Sequence, residues 1–270
     1  MSTFYDGEHA ILFGPSVDVN NVSWSDNVSA DYWSDMVNTW TDWHLIPSSR
    51  PTMVIPNSQS RFVEVPGMDG SYDLSEYLTT YRTYQDRSGS FEFIVDNDHE
   101  DWLAICRKIS VYLHGKKLRM ILTDDMEWFY QGRFSLNEWK SDPARSSVTI
   151  DYRVAPYKYS IYPIYVRNLL WDPFCFDRDI DWSKLWNIEL NVNGESSTIT
   201  FDIDTYGAHS QLIARLISGS SVTVSFGGVS KTLKTVNENV PIAYGNQENT
   251  TTLTLSGSGV VGIGWRKMSL

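Results

Sequence analysis

The residues able to do chemistry are few, and their spacing argues against most of it. Histidine occurs at His9, His44, His99, His114 and His209, and no two stand close enough for one element to present both to a metal. No resident metal and no cofactor is expected. The run Asp96-Asn97-Asp98-His99-Glu100-Asp101 imitates the front of a calcium loop, but its sixth position is Asp101 where the sharp turn needs glycine. It reads as a strand-to-helix turn with Asp98 as helix cap. Carboxylates gather at Asp124-Asp125, among Asp177, Asp179 and Asp181, and at Asp202 with Asp204. Glycosidic acid and base groups face each other across a gap from different strands, so adjacency in sequence does not define such a pair. Asp202 and Asp204 read as the solvated face of a strand that carries Phe201 and Ile203 on the other side. There is no G-x-S-x-G elbow and no glycine loop followed by Lys and Ser/Thr. No catalytic residue is expected, and the chain reads as a non-enzyme.

The elements follow from periodicity. Trp102, Ile105, Cys106, Ile109, Tyr112 and Leu113 recur at the spacing of one helix face, Gly115 closes the helix, and Arg107, Lys108 and His114 lie towards its end to complement the dipole. Strands flank it. Phe91, Phe93 and Val95 alternate with polar neighbours, as do Leu118, Met120 and Leu122, then Trp128, Tyr130, Phe134 and Leu136, then Val148, Ile150, Tyr152 and Val154. Gly132 marks a bulge or a close contact, and Asp124-Asp125 and Ser141-Asp142-Pro143 mark turns. The second half predicts hairpins: Asn193-Gly194 between Ile188, Leu190, Val192 and Ile199, Phe201, Ile203; Gly227-Gly228 between Val222, Val224, Phe226 and Val229, Leu233; and Gly257-Ser258-Gly259 between Leu253, Leu255 and Val261, Ile263, Trp265. The fold class is mainly β: an N-terminal β-sandwich with one α-helix, then a C-terminal β-sandwich of jelly-roll or lectin-like type. Two prolines, Pro156 and Pro163, place the boundary so that residues 1–159 and 160–270 form the two modules.

Composition excludes several classes of function. The 270 residues are 41% apolar and 14% aromatic, with 22 basic against 33 acidic side chains for a net charge of −11. That much ring area offsets ordering entropy, so the chain is no disordered acidic tail. No apolar run approaches the roughly 18 residues of a membrane span, and Asp6, Glu8, Asp18 and Asp26 without a base are unlike a secretory leader. The cysteines, Cys106 and Cys175, do not make a disulfide framework, and Cys106 reads as a small buried thiol. Residues 160–270 carry 8 basic and 10 acidic side chains, so −9 of the net charge falls on residues 1–159. With the acid excess and no Lys/Arg cluster, nucleic-acid binding is not expected. Trp24, Tyr32, Trp33, Trp40 and Trp43 crowd the start and Trp171, Trp182 and Trp186 the join between modules, as core filler, as subunit contacts or as sugar-stacking groups.

Six motifs then occur in order. They are Asn38-Thr39-Trp40-Thr41-Asp42-Trp43-His44-Leu45-Ile46-Pro47; Val65-Pro66-Gly67-Met68-Asp69-Gly70 with Asp73-Leu74-Ser75; Arg87-Ser88-Gly89-Ser90-Phe91-Glu92-Phe93; Tyr112-Leu113-His114-Gly115-Lys116; Tyr130-Gln131-Gly132-Arg133-Phe134; and Val154-Ala155-Pro156-Tyr157-Lys158. Over residues 38–159 the chain resembles the distal tail protein family of long-tailed bacteriophages with non-contractile tails. The resemblance implies a structural virion protein: a homohexameric ring at the distal end of the tail, assembled in the host cytoplasm, with a ring-forming N-terminal domain and a galectin-like C-terminal domain. It implies as partners the tail tube protein, the tail-tip hub and, in some phages, receptor-binding proteins. The chain departs from the family in an insertion at about residues 14–37, whose Trp24, Tyr32 and Trp33 are the candidate partner interface. A carbohydrate-binding or glycan-active module in host surface recognition is the alternative reading, since a lectin-like fold does not by itself establish a sugar site.

Overall fold

The computed structural model describes residues 8–19, 35–75, 77, 82–96, 102–140, 146–161, 174–175, 180–181, 188–194, 196–202, 211–226, 229–244, 250–264, 266 and 268–270. It is mainly β, as its patterning predicts. Contacts divide the chain into two compact units, one comprising Met1–Val17, Trp33–Lys158 and Leu270, the other Asp18–Tyr32 and Tyr159–Ser269.

The first unit contains β1 (Ile11–Pro15), β2 (Val37–Asn38), β3 (Leu45–Pro47), β4 (Phe62–Glu64), β5 (Ser71–Asp73), β6 (Arg87–Val95), the helix α1 (Trp102–Leu113), β7 (Lys117–Leu122), β8 (Trp128–Lys140) and β9 (Ser147–Val154). Seven of these strands form a sheet in the order β2-β1-β7-β8-β9-β6-β3 with antiparallel neighbours. Laid flat, seven strands would hold the outer two about 29 Å apart. Only residues 39–44 separate β2 from β3, a link reaching about 25 Å if fully extended. That link is not extended, because the amide of Asp42 bonds back to the carbonyl of Asn38 and that of His44 to Trp40. The sheet therefore curls until its edges approach, which is why period-2 strands and one helix suffice to enclose a core. Ile11, Phe13, Leu45, Phe93, Ile109, Leu113, Met120, Phe134, Val148 and Ile150 are all fully buried there.

The predicted apolar face of α1 is the face it buries: Cys106, Ile109 and Leu113 are buried, and Trp102, Ile105 and Tyr112 pack half-buried against the same core. Asp98 lies outside the described residues. Arg107 and Lys108 fall in the middle of the helix, so its last turn carries no base and the expected dipole match at that end does not hold. Gly115 ends the helix instead, adopting φ 73° and donating its amide to the carbonyl of Phe134. Gly132 is a close contact, since a Cβ there would sit 2.2 Å from the carbonyl oxygen of Arg153 on β9. The irregularity of β8 lies further on, between Leu136 and Glu138.

The chain continues through β10 (Lys158–Ser160), the paired β11 (Phe174–Cys175) and β12 (Ile180–Asp181), then β13 (Ile188–Asn193), β14 (Ser197–Asp202), β15 (Gln211–Phe226), β16 (Val229–Leu233), β17 (Asn239–Tyr244), β18 (Thr250–Gly264) and β19 (Met268–Ser269). Strands β13–β18 make one sheet. β15 and β16 pair antiparallel as the predicted hairpin requires, with Phe226 opposite Val229. The other two predicted hairpins do not form. β13 and β14 run in the same direction along one edge of β18, Ile188 opposite Ile263 and Ser197 opposite Leu255, so Asn193-Gly194 interrupts an edge strand rather than reversing it. The amide of Gly194 stays tied to the carbonyl of Gly257. Gly257-Ser258-Gly259 likewise lies inside β18, a 15-residue strand paired with the 16-residue β15. The glycines serve the close approach of two long strands: β15 shifts register at Leu216/Ser218 and Gly219/Ser221, opposite those residues. Leu212, Ala214, Leu216, Val222, Val224, Leu253, Leu255, Val261 and Ile263 are buried. Buried Arg266 donates to the carbonyls of Ser160 and Ile161, tying the end of this unit to its start.

Candidate functional site

The edge-to-edge link is held by hydrogen bonds of its own. Asn38 accepts the amide of Trp40 on Oδ1 at 2.7 Å, an Asx turn, and its own amide donates to Asp42 Oδ2 at 2.7 Å. Thr39 is buried and accepts the amide of Ile11 at 2.9 Å. His44 takes a left-handed backbone, φ 53°. These turns drive Trp43 into the core, where it stacks on Phe13 and meets Tyr112 edge-on, with centroids 5.8 and 5.7 Å away. The residues of the first motif thus close the sheet, and each polar one has a bonding partner in doing so.

A second cluster surrounds the predicted turn Asp124-Asp125, which forms a short 3-10 turn between β7 and β8. His9 Nδ1 lies 2.7 and 2.8 Å from the two carboxylate oxygens of Asp124, and Arg50 Nε donates to Oδ2 at 2.9 Å. Lys158 reaches Asp125 at 2.7 Å and lies over the ring of Trp128. Sequence gave no sign of this pairing, because its members come from four separated segments. Burial works to raise the pKa of Asp124, but hydrogen bonds and charge from His9 and Arg50 outweigh it, so the carboxyl sits below the usual carboxylate range. A depressed carboxyl stabilises the fold fully above its unfolded pKa, about 3.9, and less as pH falls through the folded value. Since Arg50 is well exposed, the contribution is at most about 1 kcal/mol. Asp124→Asn is expected to cost up to that amount at pH 7 and progressively less as pH falls below about 3.9, read by denaturant titration across that range.

Cys106 is buried as expected, and burial pushes its thiol up to about 11. Alkylating the folded protein at pH 8 is expected to leave Cys106 unmodified by peptide mapping and to modify it fully in denaturant. Among the described residues, no three of His, Cys, Asp and Glu gather as a metal site, and no helix is long and apolar enough to cross a membrane. The candidate interface residues Trp24, Tyr32 and Trp33 lie outside the described residues.

Two surface features were not anticipated. The first is a cleft of about 610 Å³ between α1 and the edge-to-edge link, whose lining includes Trp43, Val111 and Tyr112 together with Arg107, Lys108 and Lys116. Arg107 and Lys108 are adjacent and Lys116 follows two turns later, past the end of the helix, so no long run of charge marks them. Residues 102–122 nonetheless hold five bases and no acid in a chain of net charge −11. The second is an arm between β3 and β6. Gln59 and Gln85 bond to Thr83 and Asn57 at its stem, and β4 and β5 pair beyond. Apolar residues along it are exposed, Phe62 by 59% and Tyr72 by 56%.

A curled antiparallel sheet packed with helix α1, followed by a second unit whose described elements are strands, defines a mainly β two-unit chain whose conspicuous features are surfaces and core closures. No protein-family model matches the sequence, and no curated protein matches it. Among solved structures the fold is similar to that of the SPP1 Dit protein (gp 19.1), described as a paradigm of the hub adsorption apparatus in phages infecting Gram-positive bacteria. The match has a TM-score of 0.50 at 14% identity and covers 84% of this chain and 94% of that one.

Proposed function

We propose that this protein is a structural component of a phage tail tip, the distal tail protein of a long non-contractile tail, and not an enzyme. The observation that carries the reading is the shared fold over nearly the whole of both chains. The ordered motifs of residues 38–159 support it, since the structure gives several of them specific work in one curled sheet: closing its edges, ending α1 and seating β8 against β9. In this reading residues 1–159 form a homohexameric ring on the tail tube, and residues 160–270 are a galectin-like outer domain. The ring joins the tube to the tail-tip hub and holds receptor-binding proteins where the phage has them. Assembly takes place in the host cytoplasm and the mature location is the virion.

A closed ring of identical subunits needs one heterologous interface repeated around an axis. The purified protein is expected to give six-fold rings in electron micrographs and a hexamer mass in solution. A stable monomer at high concentration with no rings would overturn the assignment. The insertion with Trp24, Tyr32 and Trp33 is assigned to partner attachment. β1 extends through Pro15 and Val37 pairs with Phe13, so a deletion of residues 19–34 spares both strands. It is expected to leave ring formation intact and to abolish tail completion in a complementation assay; unchanged tail yield would remove this role.

A further inference from the structure

The arm and the cleft of the first unit pose one physical problem. An isolated two-stranded hairpin is marginal in water, yet β4 and β5 have no further strand beside them and every residue of both is exposed. The arm is nonetheless well shaped. The amide of Leu74 donates to the carbonyl of Arg61, that of Arg61 to Ser75 Oγ, and that of Ser75 to Asp73 Oδ1. Its tip turns through Gly67 and Gly70, φ 85° and 84°, with nothing within 4 Å of where a Cβ would stand at either. Phe62, Val63, Val65, Met68, Tyr72 and Leu74 are all exposed along it, an accumulation of exposed apolar side chains of the kind that marks an interaction site. At its base, buried Arg87 holds the carbonyls of Val54 and Pro156 with Nη1 and Nε, fixing where the arm leaves the sheet.

The geometry points to the arm of one copy docking into the α1 cleft of the next. Resting on the ring reading, this inference names the contact that builds the ring. Charge selects the occupant. The hairpin of residues 61–75 carries Glu64, Asp69 and Asp73 against Arg61, whereas the cleft presents Arg107, Lys108 and Lys116 against Asp42. Two copies of net charge −11 repel at long range, so a stable contact between them needs a local reversal of sign, which the base-only stretch around α1 supplies. The cleft also offers apolar surface, since Val111 is 69% exposed and lines it together with Tyr112. Arm and cleft lie on different parts of one chain, so within a ring each copy would give its arm to one neighbour and its cleft to the other, the head-to-tail contact that a cyclic assembly repeats.

The test uses the full-length chain with one cysteine placed at the arm tip, Met68→Cys, or in the cleft, Val111→Cys, both exposed positions. Under mild oxidation, an equimolar mixture of the two variants is expected to give a disulfide-linked dimer that neither variant gives alone. The double variant is expected to give a ladder ending at the ring. Independently, Lys108→Glu is expected to raise the concentration needed for assembly at least tenfold, and Asp69→Lys in the same chain to restore most of it. Rings that form without the mixed crosslink, or that ignore Lys108→Glu, would overturn the arm-to-cleft contact and leave the ring assignment standing. A disulfide within one double-variant chain would also overturn it. Failure of the unmodified protein to form rings would instead remove the assignment on which the contact rests.

Discussion

Trp43→Ala is expected to remove about 3–5 kcal/mol from the stability of the first unit, the range for truncating a buried tryptophan. The side chain is only 2% exposed, and its loss deletes the stacked contact with Phe13 and the edge contact with Tyr112 together. Collapse cannot repair the gap cheaply. Phe13 is pinned from its other side by Phe134, at 5.1 Å between centroids, and Tyr112 is held by its hydroxyl bond to the carbonyl of Phe13. The cost should also exceed that of Trp40→Ala, because Trp40, three residues earlier in the same motif, is half-buried and contacts His44 edge-on. Denaturant unfolding of both variants, followed by amide exchange to separate the units, measures the difference. If the two losses were equal, the link would act as a general cover over the sheet and Trp43 would not be the residue that closes it.

That contrast shows where sequence reading succeeds. Phe91, Phe93 and Val95, or Val148, Ile150 and Tyr152, betray a strand because each element carries its own period and each buries the face its period announces. α1 is legible for the same reason. Position across long sequence distances is not periodic, so His9, Arg50 and Asp124 gave no warning that they would meet. The cleft is hidden for a related reason: Arg107 and Lys108 read as helix polarity and Lys116 as the residue after a stop, and only the folded helix sets them around Val111 and Trp43. The arm is the opposite failure. Val65-Pro66-Gly67-Met68-Asp69-Gly70 is one of the motifs that carry the resemblance, but nothing local says that the apolar residues around it stay exposed.

The second unit supplies the other large effect, and its misread turns explain why. Local chemistry makes Asn193-Gly194 and Gly257-Ser258-Gly259 hairpin signals, but a turn residue reverses the chain only if the strands on either side pair with each other. Here those on either side of Asn193-Gly194 both pair with β18 instead, and it is Gly257 and Gly259 within β18 that solve a problem of space. At Gly219 the problem is severe. Its φ of 113° is strained for any L side chain, and a Cβ would stand 2.4 Å from the Cα of Gly259 and 2.7 Å from the carbonyl oxygen of Ser258, both backbone atoms of the paired strand. Neither can swing aside as a flexible side chain would. Strain of about 1–3 kcal/mol and overpacking of about 1–3 kcal/mol act together, so Gly219→Ala is expected to cost roughly 3 kcal/mol or more. Gly194→Ala is the control. It has a similar left-handed requirement, φ 85°, but open space around the new carbon, so it should cost only about 1–2 kcal/mol. Asparagine, which tolerates that conformation, should recover much of the loss at 194 and none at 219. Hydrogen exchange reads the outcome directly: Gly219→Ala should strip protection from β15 and β18 while β6, β8 and β9 keep theirs. Equal losses at the two glycines would mean that backbone strain alone is at work, and that the approach of β15 to β18 gives way without resistance.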